Sequence, residues 1–304
     1  MDPQITVIIP AYRRKKYLFY ALDRILTQKD VTMEILVFSE VMEPDEVDEV
    51  VEAYPQVRYI KTNKYKGASE KRKAGISMAR GTYLYMPDDD DYLIYDRFFK
   101  KSIDILEKDS HLAFVSGNLM IRHEKNGELI KEENYIVNIQ GKKTGLEYLQ
   151  NLQVKYKKPY STVSTLFRKQ VFLDRNYNEM YEVSDVCMYM NALLCGDAFI
   201  LKETVAVYRF HENNLTYSLP KEFMMRVIKE KERVYLDSVG LLDDSIGFWY
   251  EHYRKTYLFY REGKPSRKNK FSFLFWGLSH SHASKKVVSF CIKEMLKAFI
   301  ISNE

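Results

Sequence analysis

Between Ile5 and Leu26 the spacing of apolar positions changes from a continuous run to a helical period. ITVIIP, residues 5–10, is a short β-branched run closed by proline, the pattern of a strand buried on both faces. From Tyr17 the apolar residues Leu18, Leu22, Ile25 and Leu26 recur at helical spacing and predict one buried face. MEILVF, 33–38, reads as a second strand. The stretch EPDEVDEVVEAYP, 43–55, carries Val47, Val50, Val51 and Tyr54 at helical spacing, and Pro55 stops it before a third strand, VRYIK, 57–61. Helix formers fill 67–81 between two glycines, and TYLYM, 82–86, is a fourth strand. This β-α-β-α-β-α-β order predicts an α/β fold, a mostly parallel sheet with helices on both faces.

Beyond Asp96 the pattern predicts a helix with Phe99, Ile103 and Leu106 on one face, then a strand pair in LAFVSGNLMIRH, 112–123. An Asn-Gly turn signal inside 124–135 marks a hairpin or surface loop. STVSTLFRK, 161–169, reads as a strand, and 182–218 as a helix, a glycine turn and one or two strands ending in a polar loop. From about Pro220 the chain turns helical, basic and aromatic, which divides it into residues 1–219 and a C-terminal extension, 220–304.

A chain of 304 residues, 46% hydrophobic and 14% aromatic, buries a large core, which excludes a disordered protein. Three widely spaced cysteines without a C-x-x-C pair exclude a disulfide framework and a structural zinc site, and fit a reducing cytoplasm. The N-terminal segment lacks the basic start and small-residue cleavage site of a signal peptide, and no run of eighteen apolar residues predicts a spanning helix. The net charge of +5 is unevenly placed: residues 221–304 hold 16 Lys and Arg against 10 Asp and Glu. That asymmetry points to an acidic surface as partner for the extension, anionic lipid ahead of nucleic acid.

Four consecutive aspartates, Asp88 to Asp91, follow the fourth strand. One of them would serve as a helix cap, but four adjacent like charges need positive compensation. Ligands of open parallel sheets bind at the carboxyl ends of the strands, where the aspartates, Pro10 to Arg13, and Ser39 and Glu40 all fall. Hard carboxylate oxygens there suit Mg²⁺ or Mn²⁺ carrying a substrate diphosphate.

ITVIIPAYRR, KGASEKRKAGISMARGTYLYMPDDDDYL and EVSDVCMYMNALLCGDAFILKETVAVYRFHENN resemble, in order, the successive motifs of the family 2 glycosyltransferases, which have the nucleotide-sugar-binding GT-A fold. The resemblance implies that Pro10, Ala11 and Tyr12 line the nucleotide base, with Arg13 near the phosphates. It assigns Arg72, Lys73 and Gly75 to the family's A-R-N-x-G-I stretch, with Arg72 as the donor contact. It places Asp88 and Asp89 against the nucleotide sugar, Asp90 on a divalent metal with Asp88 and His211, and Asp91 in support of the loop. Asp185 becomes the general base of an inverting transfer, with Glu182 in place of the supporting acid that Ser184 replaces. Ser39 and Glu40 stand where the family has V-D-D, so the nucleobase contact falls to them and UDP is only the preferred carrier.

The activity implied is metal-dependent transfer of a sugar from a nucleotide diphosphate to a hydroxyl of a glycan or lipid-linked acceptor, in bacterial surface polysaccharide synthesis. A nucleotidyltransferase is a rival, but PAYRRKK lacks the glycines of a triphosphate loop. A non-catalytic nucleotide-sugar-binding scaffold is another. In 253–278, seven basic residues and one acid precede a run of aromatics, read either as a helical hairpin or as a surface for anionic membrane. With that second reading the protein lies in the cytoplasm, peripheral on the inner face of the cell membrane.

Overall fold

A computed structural model describes residues 2–40, 47–64, 66–212, 214 and 220–300. The chain divides into two compact units, Met1–Glu212 and Asn213–Glu304.

In the first unit β1 (Ile5–Pro10), α1 (Lys15–Leu26), β2 (Met33–Ser39), α2 (Asp48–Ala53), β3 (Val57–Lys61), α3 (Gly67–Met78) and β4 (Tyr83–Tyr85) alternate as the periodicity requires. Residues 43–46, in the stretch read as the start of the second helix, lie outside the described residues. After β5 (Tyr92–Leu93) and α4 (Phe98–Lys108) come β6 (Leu112–Lys125), β7 (Glu128–Tyr135), β8 (Gly141–Lys143) and α5 (Gly145–Asn151). The unit ends with β9 (Thr165–Arg168), α6 (Gln170–Asp174), α7 (Asp185–Cys195) and β10 (Asp197–Phe210).

The strands form one sheet in the order β3-β2-β1-β4-β9-β6-β10-β5, with β7 on β6 and β8 on β10. β1 pairs parallel with both β2 and β4, whereas β9 runs antiparallel to β4 and β6. Every residue of β1 is buried, as its unbroken apolar run demands. Gly75 is required for the packing of α3 on β1: a Cβ there would lie 2.4 Å from Ile8 Cγ2.

Two expected elements differ. LAFVSGNLMIRH is one continuous strand, β6, rather than a pair, and it turns back only at Asn126 and Gly127, both with positive φ. Those two residues are the tight turn that joins β6 to β7. Residues 162–164 form a 3-10 turn because the Ser161 hydroxyl caps Val163 N, so the strand β9 starts only at Thr165.

Among the described residues the second unit holds four helices, α8 (Lys221–Ser238), α9 (Ser245–Glu262), α10 (Arg267–Ser279) and α11 (Lys285–Ile300). Its core is aromatic: Trp249, Tyr253, Tyr257, Tyr260 and Phe273 are buried. No helix among the described residues is long and apolar enough to cross a membrane.

Candidate active site

Because β2 and β3 lie on one side of β1 and β4 on the other, the strand order reverses between β1 and β4. Loops leaving those two strands must diverge to opposite sides, and the crevice they leave is where open α/β sheets bind ligands. Ala11 to Arg14 and Pro87 to Asp91 are those loops. They are tied together, since Tyr12 N donates to Asp89 Oδ2 at 2.8 Å. Within the first loop Arg13 adopts φ 49°, an unusual backbone for a residue with a side chain.

Two arginines, Arg72 and Arg14, pair with the aspartate side chains, and a third, Arg209, whose ion-pair partner is Glu124 at 3.3 Å, holds the loop by hydrogen bonds. Arg72 on α3 donates to Asp88 Oδ1 at 2.6 Å and to Val183 O at 2.9 Å. Arg14 Nη1 bridges two carboxylates, at 2.9 Å from Asp89 Oδ1 and 2.6 Å from Asp90 Oδ2. Arg209 donates its backbone N–H to Asp91 Oδ1 at 3.0 Å and its Nη1 to Asp90 O at 2.7 Å. The Arg209 guanidinium also lies 4.4 to 5.0 Å from the ring centres of Tyr17, Tyr20 and Tyr92, an aromatic collar that holds it in place.

The four carboxylates therefore have separate roles. Asp91 is fully buried, and its second oxygen accepts from Ser161 Oγ at 3.1 Å, so it fastens the loop to β10 and to the turn before β9. Asp89 orders the loop after β1. Asp90 is buried beside His211, whose Nε2 lies 3.1 Å from Asp90 Oδ2 and whose ring stacks on Tyr17. Asp88 alone keeps a substantial exposure, 38% of its side chain.

Burial, with the Asp185 and Asp90 charges, pushes Asp88 up to about 6 against the pull of Arg72. Burial and Asp90 push Asp89 up to about 7 against Arg14, and drive Asp91 well above the ordinary range. Burial works against the Arg14 charge, yet Asp90 and Asp89 hold that guanidinium above its ordinary value.

The remaining residues expected at the site fall around this core. Pro10 ends β1 and is buried, and Ala11 O accepts from Lys71 Nζ at 3.1 Å. Tyr12 is half exposed, with Arg13 over its ring at 5.7 Å. Ser39 is buried and donates to Glu40 O, while Glu40 lies 3.3 Å from Lys71 Nζ and accepts from Gly67 N at the start of α3. Glu182 is buried, and Asp185 is the first residue of α7, where helix N–H groups favour a negative charge. The Lys73 ammonium pairs with Glu70 one turn earlier at 3.0 Å.

Four contributors were not singled out by the sequence. Arg14 and Lys71 sit beside Arg13 and Arg72, and a run of basic residues does not say which one turns inward. Arg209 lies two residues before His211, where the β-strand alternation that puts both on one face was a usable signal. Lys158 carried none. Its Nζ donates to Pro159 O at 2.9 Å and lies 5.8 Å from the Tyr189 ring centre. Burial lowers the Lys158 ammonium, and the Asp185 charge opposes that lowering.

Among the described residues no three His, Cys, Asp or Glu side chains converge as a ready metal cage. Asp88 and Asp90 offer hard carboxylate oxygens of the kind a divalent ion takes, one or two being enough when substrate phosphates complete its shell, and Asp90 Oδ2 is here engaged by Arg14 and His211.

Two crystal structures of Staphylococcus aureus TarS 1–349 share the architecture. The complex with UDP-GlcNAc superposes with TM-score 0.59 at 16% identity, covering 82% of this chain and 71% of that one. The complex with UDP gives 0.61 at 15%, covering 89% and 78%. The fold is that of the GT-A glycosyltransferases. More narrowly, the model of the family described as glycosyl transferase family 2 matches residues 6–190, and the chain belongs to that family of glycosyltransferases.

Its relatives include a Campylobacter jejuni protein named GalNAc(5)-diNAcBac-PP-undecaprenol beta-1,3-glucosyltransferase, 26% identical over 72% of this chain and 69% of the relative. The succinoglycan biosynthesis protein ExoO of Rhizobium meliloti is 32% identical, over 31% of this chain and 28% of its own length. Glycosyltransferase GlyG of Streptococcus pneumoniae is 28% identical, over 42% of both chains.

Proposed function

We propose that this glycosyltransferase moves a sugar, with inversion, from a nucleotide diphosphate, UDP by preference, to a hydroxyl of a glycan or lipid-linked saccharide in surface polysaccharide synthesis. The observation that carries the reading is the cationic and acidic pairing at the β1/β4 crevice, where Arg72 and Arg14 flank Asp88 to Asp90. TarS was crystallised with UDP-GlcNAc and with UDP, and the name of the Campylobacter relative describes an undecaprenol-diphosphate-linked acceptor; both support the substrate classes.

In this reading Tyr12 presents its half-exposed ring to the base, and Arg72 and Arg13 meet the diphosphate as it leaves. Arg72 Nε is buried without a hydrogen-bond partner among the described residues, a donor that a bound anion would satisfy. The Asp185 carboxylate takes the proton from the acceptor hydroxyl. The hydroxyl oxygen forms its bond to the anomeric carbon as the bond to the diphosphate oxygen breaks, and the diphosphate departs with that electron pair. A Mn²⁺ or Mg²⁺ ion held by Asp88, Asp90 and His211 would supply charge stabilisation to that leaving group.

Calorimetric titration with UDP, GDP, CDP and TDP, each with Mn²⁺ and again with excess chelator, tests the donor site. Manganese-dependent binding of one nucleotide is the expected result; no binding by folded protein overturns it. Asp185→Asn should bind that nucleotide as the wild type does but lose about 10²- to 10⁴-fold in turnover, the usual contribution of a positioned base. Unchanged turnover removes Asp185 from the mechanism.

A further inference from the structure

α10 and α11 of the second unit expose apolar side chains that a water-facing helix surface does not need. On α11, Ile292, Leu296 and Phe299 follow each other at helical spacing and are 49%, 58% and 54% exposed. The ring of Phe271 on α10 lies 5.1 Å from Phe299 and 6.2 Å from Phe275, which is itself 59% exposed. Ile292 and Leu296 also line a groove with Lys285, Val288 and Lys293. These contacts join the residues into one face running from the groove to Phe275.

Among the described residues the charges of these two helices are nearly all cationic. α10 and α11 together hold Arg267, Lys268, Lys270, Lys285, Lys286, Lys293 and Lys297, and one acid, Glu294. Glu294 does not offset them outwardly, because it is buried and engaged by Arg261 at 2.8 Å and Lys297 at 2.7 Å. An apolar stripe flanked by cations suits a partner that is anionic at its surface and apolar beneath. A second copy of the chain would bring two such cationic rims together and is disfavoured.

We propose that the α10–α11 face docks on an anionic lipid bilayer, with Phe275, Phe299, Leu296 and Ile292 entering the headgroup region and the lysines pairing with lipid phosphates. This docking is independent of the donor site and would hold the enzyme at the surface where a lipid-linked acceptor resides.

Co-sedimentation of the full chain with vesicles tests it, using phosphatidylcholine alone and phosphatidylcholine mixed with phosphatidylglycerol. Binding to the mixed vesicles only, weakened by added salt, is expected. Lys285→Gln with Lys293→Gln should lower that affinity about 30-fold, the effect of removing two cations from an anionic surface. Phe275→Ser with Leu296→Ser should also release the protein; all four side chains are solvent-facing, so an unchanged thermal midpoint verifies folding. Failure to sediment with either vesicle, or equal binding by the lysine variant, overturns the proposal. A concentration-dependent dimer, seen by analytical ultracentrifugation and abolished by the Phe275 and Leu296 changes, would assign the face to self-association instead.

Discussion

Replacing Arg14 by methionine removes the cation that bridges Asp89 and Asp90 while keeping an unbranched, apolar side chain in the loop. Both carboxylates are nearly inaccessible, each with 3% side-chain exposure, whereas Arg14 retains 23%. Deleting one partner of a buried ion pair costs about 3–5 kcal/mol because the other is left charged and unpaired. Two features reduce the cost here: Tyr12 N still donates to Asp89, and His211 still contacts Asp90. About 2–4 kcal/mol remains, given the partial solvent access of Arg14. For a unit of this size that lowers the thermal midpoint by about 4–16 °C. Scanning calorimetry measures the shift, with Arg13→Met as comparison, since exposed Arg13 is expected to cost about 0.5 kcal/mol or less. Adding Asp89→Asn to Arg14→Met should restore part of the loss, because the stranded charge goes too. If Arg14→Met shifts the midpoint by less than about 2 °C, or the second change is merely additive, the guanidinium is not what holds this loop.

Three further outcomes follow from packing and charge. Gly75→Ala should destabilise by about 1–3 kcal/mol through the clash with Ile8, and should cost less when introduced into an Ile8→Ala background; equal stability of Gly75→Ala and wild type in urea denaturation refutes the close approach. Burial alone would raise the Glu34 carboxyl, but the Arg80 N–H, the Thr6 hydroxyl and the Arg80 guanidinium outweigh it and hold the group below its ordinary value. The stabilisation from a depressed carboxylate is full above the unfolded value of about 4.3 and is lost as pH falls through the folded one. The midpoint gap between wild type and Glu34→Gln should therefore be large at neutral pH and close in acid; a gap that widens in acid contradicts the assignment. Tyr12→Ala should weaken nucleotide binding in calorimetry by about 5- to 100-fold, a base-stacking contribution of about 1–3 kcal/mol, without moving the thermal midpoint; unchanged affinity removes Tyr12 from the base site.

Periodicity made the first half of the sheet legible because parallel strands buried on both faces have to be continuously apolar. β1, β2, β3 and β4 all fall where the runs of 5–10, 33–38, 57–61 and 82–86 put them. β6 was harder for the same reason: in LAFVSGNLMIRH the glycine and asparagine look like a turn. In the fold Gly117 is a close approach, where a Cβ would lie 2.7 Å from Val205, and Asn118 spans to Lys202 O and Val137 N. Local composition cannot distinguish a turn from a close approach between two paired strands. The site divides along the same line. Carboxylates are conspicuous in a sequence because four together are costly, but the cations that offset them come from two remote elements, α3 and the loop after β1. Only the strand order brings those elements together. The aspartate run therefore signals a concentration of charge, while the identity of its partners depends on topology.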